Sequence, residues 1–309
     1  MQKNKCFLPA GVKLGVSPLS WTNEDVEEFG KDIPLEVCLQ EASAAGFEGI
    51  ELGRKFPREA AALGRVLGSH NLELISGWYS GLLADPHRTV AQEMNAVAGH
   101  ARLLAEMGAT VMVYGECGSR LGNSPFDAPM SGRMRLEDEP LQAYARRLDE
   151  FSLRLAGDYG LTLAYHHHLM MVTETWDEVS RLFELAPAAG LLLDTGHAFA
   201  AGFDYTQMIQ RFADRIVHLH LKDVRGDVLQ QVRSKDMAFN AAVRAGLFTV
   251  PGDGSVDFSP LFDFVRNSNY RGWMVVEAEQ DPTVAVPGPT VARAFRFVQD
   301  GICRQAAIA

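Results

Sequence analysis

The chain repeats one unit eight times: a short apolar, β-branched run, a glycine or proline break, then a longer stretch whose apolar residues recur with helical period. The runs are "VKLGVS" from Val12, "FEGIELG" from Phe47, "LELISGWY" from Leu72, "ATVMVYGE" from Ala109, "LTLAYHHH" from Leu161, "AGLLLDTGH" from Ala189, "IVHLHLKD" from Ile216 and "GWMVVEAE" from Gly272. Between them lie amphipathic stretches such as "PLEVCLQEASAAG", "MNAVAGHARLLAEMGA" and "LQAYARRLDEFSLRLAGDYG", the last two closing on small or glycine residues suited to a helix stop. Parallel strands need crossover helices, and eight such units close a sheet on itself. Strict alternation therefore predicts a single (βα)8 TIM barrel of the α/β class spanning residues 1–309. An open doubly wound sheet is the alternative architecture. No glycine-rich dinucleotide fingerprint follows the first strand, which disfavours a nicotinamide or flavin domain. Ser259-Pro260 predicts a helix start, with Ser259 as the cap and Pro260 in the first turn.

Two connections exceed simple loops: Ser119 to Pro140 after strand four, and Gly226 to Phe258 after strand seven. Both follow strand ends, where barrel enzymes build their sites, so both are expected to act as lids.

Composition narrows the partner. With 29 Lys and Arg against 39 Asp and Glu the net charge is −10, which opposes a nucleic-acid or anionic-membrane footprint and points to a small molecule. Cys6, Cys38, Cys117 and Cys303 are scattered without paired spacing, so reduced thiols and a cytoplasmic location are expected. The opening "MQKNKCFLPAGVKLGV" carries no signal-peptide pattern, and no run approaches the roughly 20 apolar residues that cross a bilayer.

The strand ends carry the chemistry. Residues alternate faces along a strand, so in "LTLAYHHH" Thr162, Ala164, His166 and His168 share one face and Leu161, Leu163, Tyr165 and His167 the other. The apolar set belongs against the helices, which leaves His166 and His168 at the barrel mouth and His167 in support. The next strands end in Asp194 and His197, in His218 and His220, and in Glu277 and Glu279; six of the nine histidines fall on strands five to seven. A single strand-end histidine is ordinarily a hydrogen-bonded core or loop residue. Four successive strands ending this way are not so explained. A buried carboxylate costs several kcal/mol unless paired, and Lys222 is the only evident protein cation near Asp194 and Glu277. Imidazole and carboxylate without thiolate suit Mn²⁺, Co²⁺, Zn²⁺ or Fe²⁺. The alternatives stay open residue by residue: Glu51 as a supporting or solvent-facing group, Lys222 paired with Asp223, His197 as a helix cap, Glu279 in a loop salt bridge. The "VPGDGS" stretch at Val250 to Ser255 could cradle a phosphate through its amides, although a plain turn is commoner and its acidic residue opposes an anion.

The motifs "AYHHH", "LLLDTGHA", "VHLHLKDVR", "GLFTVPGDGSVDF" and "GWMVVEAEQDP", with "SPLSW", "GIELG" and "ISGWYS" matching more loosely, resemble the xylose-isomerase-like barrel superfamily of sugar isomerases, epimerases and dehydratases, and within it the inosose dehydratases. The resemblance covers essentially the whole chain. It implies one divalent ion, Mn²⁺ or Co²⁺, held by Glu, Asp, His and Glu at the ends of strands five to eight. The last three fall on Asp194, His220 and Glu277; the first position carries His166 instead, with His168 the other candidate for that place. The implied reaction is loss of water from 2-keto-myo-inositol to a trihydroxycyclohexane dione in inositol catabolism, with glutathione as an associated thiol cofactor and room for a homo-oligomer. Elimination next to a ketone needs a Lewis acid on the carbonyl or enediolate oxygen, a base for the carbon-bound proton and an acid for the departing hydroxyl. His168, Lys222, Glu51 and His197 are the candidates for base and acid; His167, His218, Glu279 and Trp21 are candidate substrate contacts. Rival readings are a metal-dependent sugar or inosose isomerase or epimerase, an abasic-site endonuclease, for which the basic groove is missing, and a catalytically inactive carbohydrate-binding protein.

Overall fold

In the computed structural model, which describes residues 8–118 and 125–303, all eight apolar runs are strands. They are β1 (Val12–Val16), β2 (Gly49–Leu52), β3 (Glu73–Gly81), β4 (Val111–Glu116), β5 (Thr162–His166), β6 (Gly190–Asp194), β7 (Ile216–Leu221) and, after the two-residue strands β8 (Asp223–Val224) and β9 (Phe248–Thr249), β10 (Gly272–Val276). The eight long strands close into a barrel in the order β1-β10-β7-β6-β5-β4-β3-β2, every neighbouring pair parallel, which decides against the open sheet. The helices are α1 (Leu35–Ala45), α2 (Ala60–Gly68), α3 (Val90–Glu106), α4 (Asp138–Tyr159), α5 (Trp176–Leu185), α6 (Thr195–Ala201), α7 (Thr206–Phe212), α8 (Gly226–Ser234), α9 (Phe239–Arg244), α10 (Ser259–Asn267) and α11 (Pro287–Cys303).

Alternation along the strands decides which side chain meets which layer. Leu163 and Tyr165 of β5, Leu191 and Leu193 of β6, and Leu219 and Leu221 of β7 join the large core between strands and helices. Ala164, Leu192, Val111 and Val113 form a small cluster inside the barrel. Each fully buried Leu or Phe contributes about 1.5–3 kcal/mol, so the outer layer dominates stability. Helix ends follow local chemistry. Thr89 and Gln92 make a reciprocal capping box on α3. Gly46, at φ 105°, closes α1 in the left-handed region.

A third apolar cluster roofs the C-terminal end of the barrel, built from Phe126, Leu169, Met170, Phe239 and Phe248 among others. It comes largely from the two expected lids, and both differ from long loops. After β4, residues 119–124 lie outside the described residues; two 3-10 turns follow (Pro125–Asp127 and Met130–Gly132), and α4 has already begun at Asp138. After β7 the connection is a folded insertion of α8, α9 and the antiparallel β8–β9 pair. The two segments are joined: the Met130 N–H donates to the Met237 carbonyl at 3.4 Å, the Ser131 N–H to Asp236 Oδ1 at 2.9 Å, and the Phe126 and Phe239 rings lie 4.9 Å apart.

Two local expectations are corrected. Ser259 is the first residue of α10 and not its cap: Phe258 occupies the cap position, and the Ser259 N–H donates to Asp257 Oδ1 at 2.9 Å, so an aspartate supplied by the preceding turn takes the role a serine was expected to fill. Pro260 sits in the first turn as expected. Cys38 and Cys117 are free thiols, but Cys303 is disulfide-bonded. The other cysteines are all remote from it in sequence, so no spacing signal announced that bond. Among the described residues no helix is long and apolar enough to cross a membrane.

Candidate metal centre and active site

Four strand ends aim one ligand atom each at a common point. His166 closes β5, and its Nδ1 lies 2.6 Å from the His167 carbonyl. That contact makes Nδ1 the N–H donor and leaves the Nε2 lone pair facing inward. Asp194 closes β6 and caps α6, its Oδ1 accepting the His197 N–H at 2.7 Å, while Oδ2 has no donor. On β7, His220 donates Nε2–H to Glu51 Oε1 at 3.0 Å, and its Nδ1 makes no hydrogen bond. Glu277 follows β10; its Oε1 accepts from Lys222 Nζ at 2.8 Å, and its Oε2 lies against His220 Nδ1 without hydrogen-bond geometry. His166 Nε2 is 3.4 Å and His220 Nδ1 3.8 Å from Asp194 Oδ2, and all four ligand atoms lie within 4.8 Å of one another.

None of these four residues is more than 4% exposed, so water does not satisfy them. A buried acceptor without a partner costs about 1–3 kcal/mol, and Asp194 Oδ2, His220 Nδ1 and Glu277 Oε2 are three such atoms on one spot. Two imidazole nitrogens and two carboxylate oxygens, each oriented by a hydrogen bond on its other atom, fit a divalent cation.

Lys222 lies behind this quartet, wholly buried. Its Nζ is 2.8 Å from Glu277 Oε1, 2.9 Å from Glu279 Oε2, 3.0 Å from His197 Nε2 and 3.9 Å from Asp194 Oδ2, and 4.8 Å from the centre of the Phe248 ring. Burial alone would strip its proton; the carboxylates of Glu277, Glu279 and Asp194 outweigh it and push its pKa up. Burial likewise favours protonated Asp194, yet the Lys222 ammonium pulls its carboxyl down to about 2. His197 sits far below the ordinary histidine range, chiefly from burial, and stays neutral. The Lys222 stem passes so near Gly196 that a Cβ there would stand 2.6 Å from Lys222 Cγ, which accounts for the glycine in "DTGH".

The remaining sequence-derived candidates divide. A cavity of about 280 Å³ opens beside the quartet, and His168, Glu279 and Glu51 line it. His168 Nδ1 is held by the Leu169 carbonyl at 2.6 Å, turning Nε2 toward Glu279 Oε1 3.9 Å away. Glu51 Oε1 collects His218, His220 and the Ser76 hydroxyl at 3.0, 3.0 and 2.7 Å. Burial, which would raise the Glu51 pKa, is overridden by those imidazoles, and its carboxyl is held far below the usual range. His197 and Lys222 stand behind the lining; the His197 and His168 ring centres are 3.8 Å apart. His218 is buried beneath His220, and His167 packs on the helix side with its ring 5.6 Å from Phe203; neither lines the cavity. Trp21 does not reach it either. The 3-10 turn Pro18–Ser20 carries Trp21 into the outer core, where its indole N–H donates to Glu41 Oε2 at 2.6 Å.

Asp223 does not pair with Lys222. Its carboxylate accepts the N–H groups of Val224, Gly252, Gly254 and Val256 at 2.8–3.0 Å, so the amides of the "VPGDGS" turn already hold an internal anion. The cavity also contains Trp78, Phe126 and Asp25, which sequence reasoning missed. For Trp78 the available signal was its place in the run "LELISGWY", near a strand end.

Residues 39–300 match the xylose isomerase-like TIM barrel family. The chain is 46% identical over 277 residues to the rhizopine catabolism protein MocC of Rhizobium meliloti, covering 89% of this chain and 84% of that one. It is 38% identical over 293 residues to inosose dehydratase of Clostridium beijerinckii, covering 94% and 97%. In three dimensions it superposes on the IOLI protein crystallised with a zinc atom at a TM-score of 0.67 and 14% identity, covering 96% of this chain and all of that one. The identities and coverage leave one conclusion: the chain belongs to the xylose isomerase-like TIM barrel family.

Proposed function

We propose that the barrel mouth binds one divalent cation through His166 Nε2, Asp194 Oδ2, His220 Nδ1 and Glu277 Oε2, and removes water from 2-keto-myo-inositol, as the inosose dehydratases similar to this chain are named to do. The observation that carries the reading is the convergence of four oriented ligand atoms, three of them without a hydrogen bond, beside a cavity. The zinc atom of the IOLI protein lends support for a cation on this fold; Mn²⁺ or Co²⁺ is the occupant proposed here.

Bound there, a divalent cation supplies Lewis acidity to the ketone oxygen and makes the neighbouring carbon-bound proton easier to remove. The chain's own groups do the rest. His168 Nε2, unprotonated because Nδ1 carries the hydrogen, faces the cavity and takes that proton. Glu279, also in the lining, receives substrate hydroxyls, while Lys222 clamps Glu279 and Glu277 in place without touching substrate. His197 backs the His168 ring and Glu51 fixes His220. Roofing by Phe126 keeps bulk water from the reacting face. The β-hydroxyl departs with the proton that His168 has taken from carbon, which releases water, returns His168 to its starting form and leaves an enol that tautomerises to the dione.

The test mixes purified protein, Mn²⁺ or Co²⁺ and 2-keto-myo-inositol, with and without glutathione, and follows the dione by absorbance. Recovery of an isomeric inosose without dione overturns the dehydratase reading in favour of an epimerase.

A further inference from the structure

The cavity has two unlike walls. One is the ionisable set already described. The other is apolar, and its largest member is Trp78 of β3, 37% exposed and lining the cavity. Trp21 is wholly buried in the outer core, Trp176 lies against Phe203 and Phe212, and Trp273 lies under Lys13, so Trp78 is the one tryptophan that meets the cavity among the described residues.

Three features hold the indole in place. Its N–H donates to Ser80 Oγ at 2.9 Å. Its ring centre lies 5.5 Å from that of His166 and 6.0 Å from that of His168, at steep angles of 69° and 64°, so it stands directly beside a ligand and the base. Its benzo ring rests on the β4 backbone at Gly115: a Cβ there would lie 2.2 Å from Trp78 Cη2, 2.3 Å from Cζ2 and 2.9 Å from Met171 Sδ. Any side chain at position 115 would drive the indole into the cavity. The strand thus has a glycine where the aromatic needs a seat, although glycine weakens a strand.

We propose that Trp78, seated on Gly115, is a specificity-determining platform that stacks on the C–H face of a closed six-membered polyol ring and so selects cyclitols over open-chain sugars. The proposal rests on the dehydratase reading for its substrate. A polyhydroxylated ring has an apolar face of C–H groups and a rim of hydroxyls; the Trp78 wall meets the first and the opposite wall the second. An extended polyol has no such face, and loses the stacking contribution. An aromatic plane also presents large contact area at small cost in side-chain entropy.

Indole fluorescence and steady-state kinetics test this. Addition of myo-inositol, an unreactive cyclitol, is expected to change Trp78 emission, whereas sorbitol, its open-chain counterpart, leaves it unaltered. In Trp78→Ala the emission change disappears and KM for 2-keto-myo-inositol rises about tenfold, equivalent to about 1.4 kcal/mol, with kcat and metal content little changed. Trp78→Phe restores most of the loss, and Gly115→Ala, which pushes the indole into the cavity, also raises KM. An unchanged KM in Trp78→Ala, or equal responses to myo-inositol and sorbitol, overturns the platform. Should the alanine variant not fold, the wild-type emission and Trp78→Phe kinetics still decide. Emission that responds to myo-inositol in a protein forming no dione would sink the dehydratase reading and leave the platform standing; dione without an emission response does the reverse.

Discussion

Two aspartates at neighbouring strand ends, Asp194 and Asp223, are equally buried and differ in everything else. Both are at most 1% exposed. Asp223 spends its oxygens on four backbone N–H groups, two from the glycines of the "VPGDGS" turn, and pins that turn against the barrel. Asp194 spends one oxygen on the His197 N–H and leaves the other without a donor, facing three further ligand atoms. Burial therefore does not mark a functional carboxylate. What marks it is a lone pair kept unsatisfied at a cost the fold could have avoided, since Asp223 demonstrates how easily backbone amides would have satisfied it.

The largest effect that would break this contrast is on Asp194. Asp194→Ala is expected to reduce bound metal, measured by elemental analysis, to near zero and to lower kcat/KM by roughly 10³-fold or more. The metal-free variant should unfold somewhat below metal-free wild type, because the cap on α6 and a counter-charge for Lys222 go with the unpaired oxygen. Full metal occupancy in the variant would refute the ligand assignment.

Next in size is removal of the ion itself. A ligand that binds only the folded state at a concentration of 100 Kd stabilises by about 2.7 kcal/mol, so chelation should lower the calorimetric midpoint by several degrees, and Mn²⁺ should restore it. Asp223→Ala is expected to show the opposite pattern to Asp194→Ala: a loss of about 2 kcal/mol, moderated because the freed amides of Gly252 and Gly254 are exposed and can take water, with metal stoichiometry intact. Denaturant titration with and without chelator measures both. If Asp223→Ala loses its metal while folded, the separation between structural and ligating aspartates fails.

How much of this was legible before any coordinates depended on the range of the interaction. Strand-end alternation is local, and it put His166 at the barrel mouth and Leu163 and Tyr165 toward the helices, whereas the choice of Asp194, His220 and Glu277 came from the family resemblance. Trp78 was missed because alternation breaks there. The pairing of β2 with β3 shifts register between Ile50 and Leu52; Ile75 turns inward toward Gly15 and Gly49, yet Tyr79 turns outward to Glu93, so Trp78 falls on the inner face out of phase with Ile75. Trp21 was misassigned for a related reason: a 3-10 turn after β1 reverses the direction a straight strand extension would give. Pairing of Lys222 with its neighbour Asp223 was one reading left open beside an acid or base role, but a strand sends adjacent side chains to opposite faces, so Lys222 meets carboxylates from β6 and β10 instead.

The smallest effect sharpens the comparison with a third carboxylate, Glu51, which lines the cavity yet is satisfied like Asp223. Its Oε1 collects the Ser76 hydroxyl and two imidazole N–H groups, and one of those imidazoles is His220, a proposed ligand. A carboxylate behind a histidine fixes the tautomer and strengthens the lone pair on the far nitrogen, and loss of such a partner costs about 10- to 100-fold in metal affinity. Glu51→Gln keeps an acceptor oxygen but removes the charge, so the lower end, about tenfold weaker binding, is expected from competition with a chromogenic chelator. At saturating metal kcat should return to within about threefold of wild type, because Glu51 acts through His220 and not on the substrate. A kcat that stays low with the metal site filled would make Glu51 an acid or base in its own right, and satisfaction by neighbouring donors would then no longer separate supporting carboxylates from reacting ones.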